Sequence, residues 1–155
     1  MSWLIRLSFL SLLPVGAVAI VAAWFYTGGK LPYGYLGLGE LVAFLFFGIV
    51  ATAGTAYVQI EQVPFEAWLA GSLAGCFAAA IMLVNNIRDR EQDVRVGKKT
   101  LAVRIGDLPA RILFVVLLAG AYGLLVPFAL LYVWAPMVFF SLLITAPVAL
   151  IVLLA

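Results

Sequence analysis

The chain has 155 residues, of which 66% are hydrophobic and 10% charged, with a formal net charge of +2, no histidine and one cysteine. Soluble chains carry about 25% charged residues, so a soluble domain is excluded, and the small, localised positive balance points away from nucleic acid. Imidazole-based metal or acid–base chemistry is excluded by the missing histidine, and a disulfide framework by the single thiol, Cys76.

Uncharged runs of roughly 18 or more residues read as membrane-crossing helices. They occupy 7–29, 41–60, 67–87 and 112–155. The last is about twice a span and divides near Tyr132–Pro136, which predicts an all-α polytopic transmembrane bundle of about five spans. The whole of 1–155 reads as one membrane domain. The first helix is expected over 3–26, with a kink at Pro14. Its apolar run is too long for a typical signal peptide and lacks a small-x-small cleavage site, so it reads as retained.

Residues 27–40, TGGKLPYGYLGLGE, carry five glycines, one proline and two tyrosines. Such a stretch is a loop rather than a regular helix. Tyr33 and Tyr35 suit a membrane interface. The glycines serve either an interfacial turn or a close approach of backbone to a ligand. A dinucleotide fingerprint is excluded, because Gly34, Gly37 and Gly39 lack G-x-G-x-x-G spacing.

The second helix is expected over 40–57. Gly48, Ala51, Ala53, Gly54 and Ala56 are the small residues that close helix packing in lipid requires. An acidic turn, QIEQVPFE, spans 59–66, and Pro64 opens a third helix over 64–86, with Glu66 in its first turn. Gly71 and Gly75 stand at G-x-x-x-G spacing in that helix. It ends on Asn85 and Asn86, two carboxamides that are expensive to bury unpaired. A fourth helix is expected over 109–130 and a fifth over 134–155, with Tyr132 and Trp134 as an aromatic belt between them.

Eleven of the sixteen formal charges lie between Arg88 and Arg111. Each would cost about 2.5–3.5 kcal/mol at a helix centre, so this segment lies outside the hydrocarbon. With five spans, Lys30 and seven basic residues of 88–111 share one side, against Arg6 on the other. The positive-inside rule puts the loops at about 27–40 and 88–108 in the cytoplasm. The N-terminus then faces outward, which leads us to expect further helices upstream.

Asp89 and Asp93 are four residues apart and Asn85 four before them, so a continuing helix would put all three on one face. Paired carboxylates suit Mg²⁺, which combines one or two of them with substrate phosphates and water. The flanking cations Arg88, Arg95, Lys98, Lys99 and Arg104 suit phosphate oxygens. On this spacing alone, plain surface ion pairs are the commoner reading of the same residues. Gly97-Lys98-Lys99-Thr100 looks like the tail of a P-loop, but Gln92 stands where the upstream glycine is required, so a nucleotide P-loop is rejected.

The stretch NNIRDREQDVRVGKKTLAVRIG resembles the second aspartate-rich motif of the UbiA superfamily of intramembrane prenyltransferases. It looks most like the 1,4-dihydroxy-2-naphthoate polyprenyltransferase branch of menaquinone biosynthesis, as does FYTGGKLPYGYLGLGE. The resemblance implies transfer of a polyprenyl group from a prenyl diphosphate to an aromatic acceptor, 1,4-dihydroxy-2-naphthoate, with Mg²⁺ as cofactor, at the inner membrane. It implies that Asp89 and Asp93 bind the metal, and that Asn85 and Asn86 support them. Lys99 would contact phosphate, with Arg95, Lys98 and Arg104 around it, and Tyr33 and Tyr35 would line the acceptor side. The five spans resemble the C-terminal part of a nine-helix UbiA-type fold. The two asparagines and three aspartates of the chain leave no residues for the family's first aspartate-rich motif. The expectation is therefore a truncated chain lacking an N-terminal half and doubtful in activity alone, or one that a separate chain completes. The alternative is a non-catalytic membrane module, a transporter half or assembly subunit.

Overall fold

The computed structural model describes residues 2–28 and 32–131. Lys30, the belt residues Tyr132 and Trp134 and the expected helix 134–155 lie outside the described residues. Helix α1 (Ser2–Thr27) runs through Pro14. A 3-10 turn (Tyr33–Leu36) leads into α2 (Gly39–Ala43), which continues through a π-helical segment (Phe44–Val50) into α3 (Ala51–Ile60). Helix α4 (Phe65–Arg88) is followed by two short helices, α5 (Arg90–Arg95) and α6 (Leu101–Ile105), and then by α7 (Asp107–Leu131). The described residues contain no strand, as an all-α bundle requires. Among the described residues, three helices are long and apolar enough to cross a membrane: Gly39–Ile60, Phe65–Arg88 and Asp107–Val126. Leu12–Tyr26 adds a shorter apolar stretch.

Local chemistry sets the ends of these helices. Pro64 is extended (φ −68, ψ 162) and stands just outside α4 rather than within it, with Glu66 complementing the helix dipole in the first turn. Pro109 falls in the first turn of α7, where its missing donor costs nothing. Asp107 and Arg111 pair across that turn at 2.9 Å. The charged segment between α4 and α7 forms α5 and α6; its Arg, Glu, Gln, Leu and Ala content is compatible with helix.

Small residues set the packing. The π-helical segment crosses α4 at Gly48, where a Cβ would run into the Cα of Gly75 and come within 2.5 Å of the Gly71 carbonyl. The G-x-x-x-G pair of α4 therefore packs helices, as expected. A second contact joins α4, α6 and α7 through Ala80, Leu83, Ala102, Ala110 and Phe114. Phe77 and Tyr122 meet edge-on at 5.7 Å. This packing ties α6, which follows the charged helix α5, to the end of α4.

Candidate active site

Helix α4 is interrupted at Asp89 (φ −90, ψ 3), but its bonding pattern carries on. The amide of Asp89 donates to the Asn85 carbonyl at 3.0 Å, and that of Asp93 to the Asp89 carbonyl at 2.9 Å. The one-turn spacing of Asn85, Asp89 and Asp93 thus survives, while their surroundings diverge. Asp93 is buried at 5% exposure. The Lys98 ammonium lies 3.3 Å from its Oδ1, and the Thr100 hydroxyl donates to its Oδ2 at 3.4 Å. The Asp89 side chain is 45% exposed and accepts from Arg88 Nε at 2.8 Å and Nη2 at 3.1 Å. Hydrogen bonding from Arg88 holds the Asp89 carboxyl below the usual carboxylate range.

The two polar loops meet at this end of the bundle. The Lys99 amide donates to the Tyr35 carbonyl at 3.1 Å, and the Lys98 ammonium stands 5.3 Å from the centre of the Tyr35 ring. Arg104 Nε donates to the Lys99 carbonyl at 3.1 Å. Gly37 sits beneath that guanidinium with φ +73, and a Cβ there would stand 2.9 Å from Arg104 Cδ. A side chain at this position would be strained and crowded. The close backbone approach that these glycines permit is thus made to the protein's own side chains.

Tyr35 therefore lies with the cations. Tyr33 turns the other way: its hydroxyl donates to the Ala22 carbonyl at 2.6 Å, and its ring meets Tyr26 edge-on at 5.5 Å. The Arg95 and Lys99 side chains are exposed and make no ion pair among the described residues. Asn85 is exposed, whereas Asn86 is half-buried and donates from Nδ2 to Glu40 Oε1 at 2.8 Å.

Two adjoining cavities reach this polar end. One, of about 500 Å³, is lined by residues including Asn85, Asn86 and Ile81. The other, of about 550 Å³, is lined by residues including Tyr33, Val42 and Phe46. Tyr26, Ala43, Phe47 and Met82 line both. Sequence reasoning missed Tyr26, Met82 and Glu40. A carboxylate opening an apolar helix was the signal for Glu40, since such a group must find a partner. No three His, Cys, Asp or Glu side chains converge as metal ligands among the described residues. The carboxylate and carboxamide oxygens of Asp89, Asp93 and Asn85 nonetheless match a hard divalent ion in kind.

The model of the UbiA prenyltransferase family matches residues 2–155. The 1,4-dihydroxy-2-naphthoate octaprenyltransferase of Mycobacterium tuberculosis is 46% identical over 110 residues, 71% of this chain and 38% of that protein. The Escherichia coli protein of the same name is 38% identical over 113 residues, 73% of this chain and 37% of that protein. A 2-carboxy-1,4-naphthoquinone phytyltransferase of Synechocystis is 33% identical over 106 residues, 68% of this chain and 34% of that protein. The chain spans under two fifths of the length of these relatives. No solved structure matches it.

Proposed function

The chain belongs to the UbiA prenyltransferase family, and on that premise we propose that it acts in transfer of a polyprenyl group from a prenyl diphosphate to 1,4-dihydroxy-2-naphthoate, in menaquinone biosynthesis. The reading includes Mg²⁺ dependence and a multi-pass location in the cell inner membrane, with the charged loops in the cytoplasm. The observation that carries it is a juxtaposition. Asn85 lines an apolar cavity and stands one turn from Asp89, on the segment that bears Asp93, Arg95, Lys98 and Lys99. A ligand with a charged head and an apolar tail matches that arrangement.

The side chains divide the work. Arg95 and Lys99, exposed and free of ion pairs among the described residues, attract the phosphate oxygens. Arg104 fixes the Lys99 backbone, and the Tyr35 carbonyl fixes its amide. Asp89 and Asp93 would hold the metal, Asp89 by leaving an exposed arginine and Asp93 by releasing Lys98 towards phosphate. When bound, Mg²⁺ supplies positive charge that stabilises the departing diphosphate. The C–O bond of the allylic diphosphate breaks with its electron pair leaving on oxygen. The apolar walls keep water from the resulting allylic cation. The electron-rich ring forms the new C–C bond, and loss of the ring carboxylate as CO₂ restores aromaticity.

The test uses membranes containing the chain, supplied with labelled prenyl diphosphate, 1,4-dihydroxy-2-naphthoate and Mg²⁺. Prenylated naphthol is expected with wild type once the N-terminal half of a relative is co-expressed with it. Asp89→Asn, which removes a metal-binding charge, should lower its formation by about a hundredfold or more. Undiminished transfer in that variant would refute the role of Asp89. Full biological function with both aspartates replaced would mark a non-catalytic membrane module instead.

A further inference from the structure

Glu40 opens α2 and exposes only 5% of its surface. One carboxylate oxygen, Oε1, accepts from Asn86 Nδ2 at 2.8 Å, while Oε2 is buried with no hydrogen-bond partner among the described residues. A buried charged oxygen without a donor is costly, and a ligand that brings a donor recovers that cost on binding. The surroundings indicate the kind of ligand. Asn86 lines the 500 Å³ cavity, and Gly39 and Ala43, on either side of Glu40 in sequence, line the 550 Å³ one. Tyr26 lines both, and its hydroxyl donates to the Met82 thioether at 3.7 Å, its one acceptor among the described residues. That hydroxyl lies 3.4 Å from where a Cβ on Gly39 would stand, so it sits beside the backbone that carries Glu40. Glu40 lines neither cavity itself, but Asn86, Gly39 and Tyr26 do, which sets its acceptor oxygen, unpartnered among the described residues, beside the seam of the two.

We infer that Glu40 binds the hydroxyl of the aromatic acceptor, with Oε2 accepting the O–H of a flat hydroxyl-bearing ring and Oε1 holding Asn86. This rests on the acceptor reading above and adds to it the residue that recognises the hydroxyl. A hydrogen bond to a carboxylate also pushes electron density into the ring, which favours attack on an allylic cation. Asn86 is set by the same contact: an acceptor-only carboxylate obliges its carboxamide to present nitrogen to Glu40.

The experiment measures binding of 1,4-dihydroxy-2-naphthoate and of 2-naphthoate, which lacks both hydroxyls, to the chain in lipid nanodiscs. Glu40→Gln keeps an oxygen for Asn86 but places an N–H donor where the ring hydroxyl needs an acceptor. It should weaken the dihydroxy probe about tenfold or more and leave 2-naphthoate unchanged. Equal losses for both probes, or no loss for either, would overturn the inference. Wild type provides a second test by difference infrared spectroscopy with ¹³C-labelled glutamate. The dihydroxy probe should shift a carboxylate band that 2-naphthoate leaves alone, and the absence of that shift also overturns it. Wild type that binds neither probe overturns the acceptor reading as well. Wild type that binds both probes equally overturns the role of Glu40 alone.

Discussion

Asp93 is closed off by Lys98 and Thr100, whereas Asp89 faces an exposed arginine. Their common spacing was legible in the sequence because it needs only helical periodicity. Their different environments were not, because burial of Asp93 depends on a turn that brings Thr100 back over it. Asp93→Asn removes the charge that holds Lys98, and since Lys98 is 35% exposed the loss is moderate, about 1–2 kcal/mol. Amide exchange at Lys98, Lys99 and Thr100 should quicken in that variant, and unchanged exchange would mean that the pair does not order the loop. Tyr35 illustrates a residue whose type was noticed and whose placement was not. Its ring lies against Lys98, a contact worth about 0.5–1 kcal/mol at an exposed site. Tyr35→Ala should therefore weaken inorganic diphosphate binding about two- to fivefold, and Tyr35→Phe should retain it. A Tyr35→Ala variant that loses naphthoate binding instead would put Tyr35 on the acceptor side.

Helices were easier to read than the segments between them. Apolar run length located α4 and α7, because a span must bury its backbone bonds in itself. The G-x-x-x-G pattern anticipated a close crossing, and Gly48 proved to be the residue that meets Gly75 and Gly71. The π-helical segment containing Gly48 left no sequence signal, since its wider turn reflects packing rather than propensity. Gly48→Ala should push the helices apart at a cost of about 1–3 kcal/mol. Gly54, with nothing within 4 Å of a Cβ, is the control. Thermal unfolding in detergent should fall for Gly48→Ala and hold for Gly54→Ala, and equal behaviour would contradict the crossing. The short helices α5 and α6 fall within the segment expected outside the hydrocarbon, where charge density masks helical periodicity.

The whole molecule gathers its two polar loops at one end, as the distribution of lysine and arginine implied. The bond from Lys99 to the Tyr35 carbonyl makes that shared end a structural fact. With Cys76 replaced by serine, cysteines placed at Leu36 and Val96 should label from the cytoplasmic side, and one at Gln62 from the opposite side. Labelling of Leu36 and Val96 from different sides would refute the arrangement. That Glu40 needs a partner was legible in the sequence, but that the partner is Asn86 was not, because the bond joins residues 46 apart through a fold that only packing defines. The most direct test of the account is Mg²⁺-dependent binding of a non-hydrolysable prenyl thiodiphosphate to the chain in lipid nanodiscs, comparing wild type with Asp89→Asn and Lys99→Ala. Binding by wild type should require Mg²⁺ and fall about tenfold or more in each variant. Affinity that is indifferent to Mg²⁺ and to both substitutions would contradict it.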